Sequence, residues 1–175
     1  SFEASATRHL RRGWLSSTGR ASVSLPIGHD QISIDQRNFH RITQPPYGMI
    51  SAVDLNTRKI IWQKPFGTAR DSGPLLLKTG LPIPMGTPNI GGSIITSSGL
   101  AFIGATQERM IRAYDIKTGK ELWKGRLPAG GNATPMTYWS AKSGRQFVVI
   151  AAGGHGGILS GYSDQLVAFA LPKKK

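Results

Sequence analysis

The sequence has 175 residues, with 22 Lys and Arg against 9 Asp and Glu, and a formal net charge of +13 at pH 7. It contains no Cys, which excludes a disulfide framework and a thiolate metal site. No apolar run approaches the ~20 residues that a membrane-spanning helix needs, and no signal peptide is expected. The basic residues are scattered and no nucleic-acid-binding motif accompanies them, so attraction to an anionic membrane surface is favoured over nucleic-acid binding.

The N-terminal segment, residues 1–44, differs from the rest of the chain. It is rich in Arg and Ser, shows little of the alternation typical of strands, and contains no match to the repeats found later in the chain. We therefore predict an irregular or divergent segment over 1–44 and a region of repeated strands over 45–175.

The second region carries an internal repeat. Residues 52–62 are "AVDLNTRKIIW" and residues 113–123 are "AYDIKTGKELW", with Ala, Asp, Thr and Trp at identical offsets. Each copy has two short runs separated by a turn, which predicts a β-hairpin. Gly119 in the second turn can adopt a positive φ, whereas the equivalent Arg58 weakens this signal in the first. The terminal Trp of the motif has a large flat apolar face and is expected to lie between stacked sheets.

The fullest repeat predicts a four-stranded antiparallel sheet. The expected strands cover, in chain order, 91–96, 100–104, the two arms of 110–125, 133–138, 146–151 and 165–171. Four-stranded sheets around an axis form a β-propeller, which usually needs about four to eight of them. The chain holds about two and a half, so we predict an all-β fold that is part of a larger propeller. The fourth strand of the last sheet is expected from the other end of the parent chain.

The motif Ala-x-Asp-x-x-Thr-Gly-x-x-x-Trp resembles the tryptophan-docking motif of dehydrogenases that use pyrroloquinoline quinone (PQQ). Three stretches are similar to the C-terminal end of the membrane-bound quinoprotein glucose dehydrogenases: "PPYGMISAVDL", "LPIPMGTPNIGGSIITSSGLAFIGATQERMIRAYDIKTGKELWKGRLPAGGNATPMTY" and "FVVIAAGGHG…DQLVAFALP". The resemblance covers residues 45–175, where the order of the motifs, their spacing and the terminal "AFALP" all agree.

The resemblance implies that this chain belongs to an oxidoreductase with an eight-bladed propeller on the periplasmic face of the bacterial inner membrane, anchored by N-terminal helices outside this sequence. The enzyme would oxidise the C1 hydroxyl of glucose, or a related polyol, to gluconolactone. PQQ would be the cofactor, assisted by Ca²⁺ or Mg²⁺, and ubiquinone would accept the electrons. The base and the metal ligands of the family lie upstream, so no catalytic residue and no metal ligand is expected here. The chain alone is expected to be inactive.

Three stretches are expected to line the cofactor. In "PNIGG", Ile90 stands where related alcohol dehydrogenases have a Trp under the PQQ ring, which implies apolar contact from Ile90 and Gly91 without stacking. "GNATPM" begins the inner strand of the last sheet and brings Thr134 to the central channel. "AAGGHGG" matches a loop whose backbone approaches PQQ, which implies contacts from Gly154 and His155.

Glu108 is a candidate substrate contact. It lies where the family has an acidic residue just before the motif. The alternative is that its carboxylate pairs with Arg109 or Arg112.

His155 and Asp164 are the other candidate substrate contacts. After "HGG" the family usually has a Thr-Lys pair, and this chain has Ser160 and Gly161 there. The missing Lys removes one expected sugar contact, while Asp164 keeps its expected spacing from His155.

Two other functions remain open. One is oxidation of quinate or shikimate, as in close relatives of the glucose enzymes. The other is non-catalytic, since some propellers with the Trp motif are scaffolds in outer-membrane assembly. The glycine-rich stretches argue against a scaffold, because a scaffold does not need glycines that face a cofactor.

Overall fold

The computed structural model describes residues 3–5, 21–24, 45–72 and 78–170. Its strands are β1 (Glu3–Ser5), β2 (Ala21–Ser24), β3 (Met49–Asp54), β4 (Lys59–Pro65), β5 (Ser93–Ile95), β6 (Leu100–Ile103), β7 (Met110–Asp115), β8 (Glu121–Arg126), β9 (Met136–Ser140), β10 (Arg145–Ala151) and β11 (Leu166–Ala170). Two single-turn 3₁₀ helices cover Ala69–Asp71 and Gly156–Ile158. The described ranges contain no helix with the length and hydrophobicity needed to span a bilayer.

The strands form three antiparallel sheets, which we call the first, middle and last blades. The first blade has the order β2-β3-β4, the middle blade β5-β6-β7-β8, and the last blade β1-β11-β10-β9. Neighbours in each sheet are antiparallel and mostly consecutive in the chain, as in the blades of a β-propeller. The predicted all-β fold built from antiparallel blades is therefore confirmed.

Two inner strands are shorter than the sequence predicts. The strand expected over 91–96 covers Ser93–Ile95, and the one expected over 133–138 begins at Met136. Gly91 precedes its strand because it packs across to the next blade: a Cβ on Gly91 would lie 2.6 Å from the main-chain oxygen of Asn132. The residues before these strands therefore join blades and do not extend a ladder.

Two short strands lie within residues 1–44, where the sequence predicts an irregular segment. β1 pairs with β11, with Glu3 opposite Ala170, and β2 pairs with β3, with Ala21 opposite Asp54. Strands of three and four residues carry too little alternation to be recognised in the sequence. Each pairs with a longer strand whose edge N–H and C=O groups need partners. In this structure β1 occupies the fourth position of the last blade.

The repeated motif forms the same hairpin twice. β3 pairs with β4 and β7 with β8, and each ladder has a register shift directly after the motif Ala, at Ala52 and at Ala113. The shift places an extra residue in the outer strand, which increases the local twist. The identical position of the two irregularities shows that they belong to the motif.

The Asp of the motif holds each hairpin turn. Asp54 accepts hydrogen bonds from the main-chain N–H of Asn56 at 2.8 Å and from the hydroxyl of Thr57 at 2.9 Å. Asp115 accepts from the main-chain N–H of Thr118 at 2.8 Å and from its hydroxyl at 2.9 Å. These bonds hold the pKa of both carboxyls below the ordinary value, because they favour the charged form.

Trp62 joins the first blade to the middle blade. Its indole N–H donates to the carbonyl oxygen of Ile116 at 2.8 Å, and its ring lies on Gly119, where a Cβ would be 2.6 Å from the indole. Gly119 and Arg58 both have positive φ, at 68° and 57°, so the first hairpin forms despite its larger side chain. Gly119 is buried and Arg58 is exposed. The glycine is therefore required by the indole as well as by the backbone.

Trp123 lies between the middle and last blades, as the sequence predicts. Its ring makes an edge-on contact with the ring of Phe169 in the last blade, with centroids 5.0 Å apart. It makes a second edge-on contact with Phe102 in the middle blade, with centroids 6.5 Å apart. The buried side chains around it come from both blades and include Ile111, Leu127, Val148 and Ile150. Burial of such apolar surface is the main source of stability between the two sheets.

Candidate cofactor site

Three segments meet at one end of the middle and last blades. The Ile90 segment (88–92) leads into β5, the Asn132 segment (128–135) leads into β9, and the His155 loop (152–162) connects β10 to β11. These are the three stretches that the sequence predicts to line a cofactor. The start of β9 is paired with the end of β10, so the Asn132 segment and the His155 loop lie at the same edge of the last blade.

Main-chain hydrogen bonds tie the segments together. Gly130 donates to the carbonyl oxygen of Ser160 at 2.8 Å, and Gly154 donates to that of Gly130 at 2.9 Å. Ala105, in the loop after β6, donates to the carbonyl oxygen of Gly131 at 2.7 Å and so connects the two blades. The three segments are therefore joined to one another through paired backbone.

Close backbone contacts explain two of the glycines. A Cβ on Gly130 would lie 2.5 Å from the Cβ of Ser160, so any larger residue would separate the Asn132 segment from the His155 loop. Gly154 has a φ of 72°, and its Cα faces the carbonyl oxygen of Gly161 with no room for a side chain. Backbone contact at these positions fixes the relative positions of the segments.

A directed chain of hydrogen bonds runs through the side chains of the site. The Asn132 Nδ2 donates to the carbonyl oxygen of Ile90 at 3.0 Å. The Ser160 hydroxyl donates to the Asn132 Oδ1 at 2.9 Å and accepts from the main-chain N–H of His155 at 2.7 Å. The chain thus links all three segments, from Ile90 at one end to His155 at the other.

The imidazole of His155 is exposed and held through one nitrogen. Its Nδ1 accepts from the main-chain N–H of Gly157 at 3.1 Å, at the start of the 3₁₀ turn. A neutral imidazole that accepts at Nδ1 carries its proton on Nε2. His155 therefore presents an N–H donor at Nε2 to whatever lies over the loop.

The five residues predicted to contact the cofactor lie together. Ile90, Gly91, Thr134, Gly154 and His155 all belong to the joined segments. Ile90 is 46% exposed, and Thr134 is an exposed residue beside Gly92. The structure thus forms a surface with one apolar face, one hydroxyl, one imidazole N–H and close backbone.

Glu108 lies in the interior, between two blades. Its residue is 3% exposed, and its carboxylate pairs with Arg112 and accepts from the main-chain N–H of Thr68 at 3.1 Å. Burial lowers the pKa of Arg112, but the charges of Glu108 and Glu121 outweigh it and the pKa is raised overall. The structure thus places Glu108 in the arginine pairing that the sequence offers as the alternative to substrate contact.

Asp164 is separate from the chain of hydrogen bonds. It is exposed in the stretch that leads into β11. Within the described ranges, His, Asp and Glu side chains do not gather in groups of three or more able to hold a metal ion.

Arg109 places a positive charge beside the His155 loop, a position that the sequence pattern does not reveal. Its guanidinium lies against Gly161, where a Cβ would be 2.9 Å from Nη2, and donates to the carbonyl oxygen of Pro128 at 3.1 Å. Gly161 stands where the resemblance leads one to expect a Lys. An arginine from the middle blade therefore occupies space beside this position of the last blade.

Sequence reasoning also missed the roles of Asn132 and Ser160. Asn132 follows two glycines directly, and a polar side chain in a tightly packed glycine segment is a signal that it bonds to neighbouring backbone. Ser160 gave no comparable signal, because its partners are brought to it only by the fold.

Comparison with known proteins gives a consistent result. Residues 5–148 match the family described as PQQ: Glucose/ethanol/alcohol dehydrogenase, beta-propeller domain. The chain is 52% identical over 139 residues to the glycerol dehydrogenase large subunit of Gluconobacter thailandicus, covering 79% of this chain and 18% of that protein. It is 52% identical over 128 residues to a probable quinate dehydrogenase (quinone) of Xanthomonas campestris pv. juglandis, covering 73% and 16%. It is 50% identical over 133 residues to quinoprotein glucose dehydrogenase A of Acinetobacter calcoaceticus, covering 75% and 16%. The chain thus spans less than a fifth of the length of these relatives.

Proposed function

Because the chain belongs to the β-propeller family of PQQ-dependent glucose, ethanol and alcohol dehydrogenases, we propose that its blades form one side of the PQQ site in a quinoprotein dehydrogenase. The observation that carries the proposal is the joining of the Ile90 segment, the Asn132 segment and the His155 loop into one surface. A scaffold would have no use for an exposed surface built on such close backbone contacts.

The residues of the surface fit a flat quinone that bears carboxylates. The exposed Ile90 side chain offers apolar contact to a ring face. Gly153 leaves its backbone open, since the nearest non-neighbouring atom to its Cβ position is 3.9 Å away, at the carbonyl oxygen of Ser163. The Thr134 hydroxyl and the His155 Nε2–H are hydrogen-bond donors suited to quinone or carboxylate oxygens.

PQQ, when bound, supplies the hydride-accepting quinone for oxidation of an alcohol carbon. His155 then binds and orients an oxygen of the cofactor or the substrate through Nε2–H. It does not remove the substrate proton, because its Nδ1 is already occupied by the N–H of Gly157 and its Nε2 carries a proton. Ile90 covers apolar surface and excludes water from it. The base lies in another part of the parent enzyme.

Glucose, oxidised at C1 to gluconolactone, is the favoured substrate. The resemblance over residues 45–175 and the 50% identity to a glucose dehydrogenase support it. The resemblance also supports ubiquinone as electron acceptor, Ca²⁺ or Mg²⁺ as the assisting ion, and a place on the periplasmic face of the inner membrane.

A carboxylated polyol such as quinate is the second candidate. The guanidinium of Arg109 beside Gly161 favours it, since this arginine forms none of the ion pairs found among the described residues. Asp71 attracts Arg109 electrostatically, but a guanidinium without a close ion pair near the His155 loop is suited to binding a substrate carboxylate. The 52% identity to a quinate dehydrogenase points the same way.

The test is a PQQ titration of the complete apo-protein, followed by its tryptophan fluorescence, with dye reduction measured on glucose, glycerol and quinate. We expect saturable binding, and activity that depends on PQQ and a divalent cation, with the highest kcat/KM for glucose. A higher kcat/KM for quinate would support the second candidate. A complete protein that binds no PQQ would contradict the proposal and favour the scaffold.

A further inference from the structure

We infer that Ser160 is a positioning residue of the cofactor site, which acts with Asn132 to hold the Ile90 segment and the His155 loop in register with each other. The inference rests on the proposed PQQ site and adds residues that touch neither cofactor nor substrate.

The Ser160 hydroxyl is buried and used in both directions. Ser160 is 1% exposed, and its Oγ accepts from the main-chain N–H of His155 at 2.7 Å and donates to the Asn132 Oδ1 at 2.9 Å. A main-chain N–H can only donate, so the Ser160 hydrogen must point elsewhere. The other acceptor in reach, the carbonyl oxygen of His155, is 3.5 Å away, so Asn132 receives it.

This direction fixes the amide of Asn132. Because Oδ1 receives the Ser160 hydrogen, Nδ2 must face the opposite way, where it donates to the carbonyl oxygen of Ile90 at 3.0 Å. A reversed amide would place Oδ1 against the carbonyl oxygen of Ile90, so that two acceptors would face each other there. The chain from His155 to Ile90 therefore has one arrangement that satisfies every group.

The two ends of this chain are the two parts of the surface that a ligand would touch. Ile90 carries the exposed apolar side chain, and His155 carries the exposed imidazole. Ile90 and His155 belong to different blades. Asn132 and Ser160 connect them by hydrogen bonds. Removing the Ser160 hydroxyl leaves the His155 N–H and the Asn132 Oδ1 without their partner. The main-chain bonds of Gly130 still join the segments, but the amide of Asn132 and the backbone at His155 can then shift relative to each other. Small displacements of positioning groups are costly for binding and catalysis.

The experiment compares Ser160→Ala and Ser160→Thr in the complete apo-protein. PQQ dissociation constants are measured by fluorescence, together with kcat and KM of the reconstituted enzyme. We expect Ser160→Ala to weaken PQQ binding or raise KM about tenfold or more. Ser160→Thr keeps the hydroxyl and should stay near wild type. The matched control is Ser163→Ala, beside the loop, whose hydroxyl accepts from the main-chain N–H of Gln165 at 3.1 Å and lies outside the chain of bonds from His155 to Ile90; it should change neither constant.

A second variant keeps the inference testable if Ser160→Ala does not fold. Asn132→Ala breaks the same chain of hydrogen bonds from the other side. The double variant should bind PQQ no more weakly than the weaker-binding of the two single variants, because the two residues act as a unit. A Ser160→Ala or Asn132→Ala protein that melts earlier but binds PQQ and substrate like wild type would overturn the inference. Wild-type protein that binds no PQQ would instead overturn the proposed function, and the inference with it.

Discussion

The indole N–H of Trp62 and the carbonyl oxygen of Ile116 are 2.8 Å apart, although 54 positions separate them in the chain. The tryptophan of one repeat is thereby bonded to the turn of the next. The ring also covers Gly119, which explains why the second copy of the motif has a glycine where the first has the exposed Arg58.

Gly119→Ala is expected to destabilise the complete protein more than Gly144→Ala. Both glycines have positive φ, 68° and 61°, so each change carries a backbone penalty of about 1–2 kcal/mol. Only Gly119 has the Trp62 indole against its Cβ position, while Gly144 has no atom within 4 Å. The contact should add about 1–3 kcal/mol to the loss for Gly119→Ala. Equal losses in denaturant unfolding would show that the indole can move aside.

Trp123→Ala is expected to lower the free energy of unfolding by about 3–5 kcal/mol, as for other large aromatic truncations in cores. The ring fills the space between Phe102 and Phe169 of two blades. Trp139→Ala is the control, since Trp139 is 66% exposed and should change stability by less than about 1 kcal/mol. A loss below about 1 kcal/mol for Trp123→Ala would contradict its position between blades.

Glu108→Gln tests whether this residue stabilises the fold or contacts substrate. Removing one partner of a buried ion pair costs about 3–5 kcal/mol, and Glu121, which also holds Arg112 at 3.0 Å, should keep the loss near the lower end. Glu121→Gln is the control and should cost less, because its side chain is 35% exposed. We expect an earlier melting transition with an unchanged KM. A raised KM at unchanged stability would instead support the substrate role.

Acid should weaken the two hairpin turns. The pKa of Asp54 is held below its ordinary value chiefly by the N–H of Asn56, and that of Asp115 chiefly by the N–H of Thr118. A lowered folded-state pKa contributes stability that is complete above the unfolded value of about 3.9 and is lost as the pH falls through the folded value. The melting temperature should therefore decrease as the pH is lowered below about 4. The decrease should be less steep in the double variant Asp54→Asn, Asp115→Asn. Parallel pH curves for the two proteins would contradict this.

His155→Asn in the complete enzyme should raise the glucose KM or weaken PQQ retention, with a smaller change in kcat. The reason is that a group that orients its partner equally in the ground and transition states affects binding more than the chemical step. A fall in kcat of about two or more orders of magnitude would identify His155 as a base. If neither constant moved, His155 would be an ordinary surface histidine.

The hairpins and the blade order follow from the sequence because their signals are local. Alternation, a turn Asp and a terminal Trp lie within one copy of the motif, so residues 113–123 alone predict the β7–β8 hairpin and the need of Trp123 for a neighbouring sheet. Even Arg58 adopts the positive φ of the motif's turn, because the hydrogen bonds to Asp54 hold the turn that its side chain disfavours.

The interior of the site does not follow from the sequence, because its partners are distant. Spacing shows nothing of the bond between Ser160 and Asn132 or of the Arg109 guanidinium on Gly161, since each pair joins two separate loops. The resemblance points to the three segments that the structure brings together, but it gives no means to decide between a substrate role and a buried ion pair for Glu108. That choice depends on burial, which only the packed blades define.

The contact between Trp62 and the turn at Ile116 and Gly119 has a direction, because one sheet gives the ring and the following sheet receives it. Trp123 of the middle blade likewise packs against the last blade, on the ring of Phe169. Both described junctions also place the Trp of one repeat beside the aromatic ring that follows an Ala in the next, Tyr114 for Trp62 and Phe169 for Trp123. A whole repeat could therefore be duplicated or deleted in evolution with this ring contact preserved. The motif therefore determines how one sheet packs on the next but not how many sheets there are. A mutation inside one repeat should mainly affect the packing of that repeat against its two neighbours.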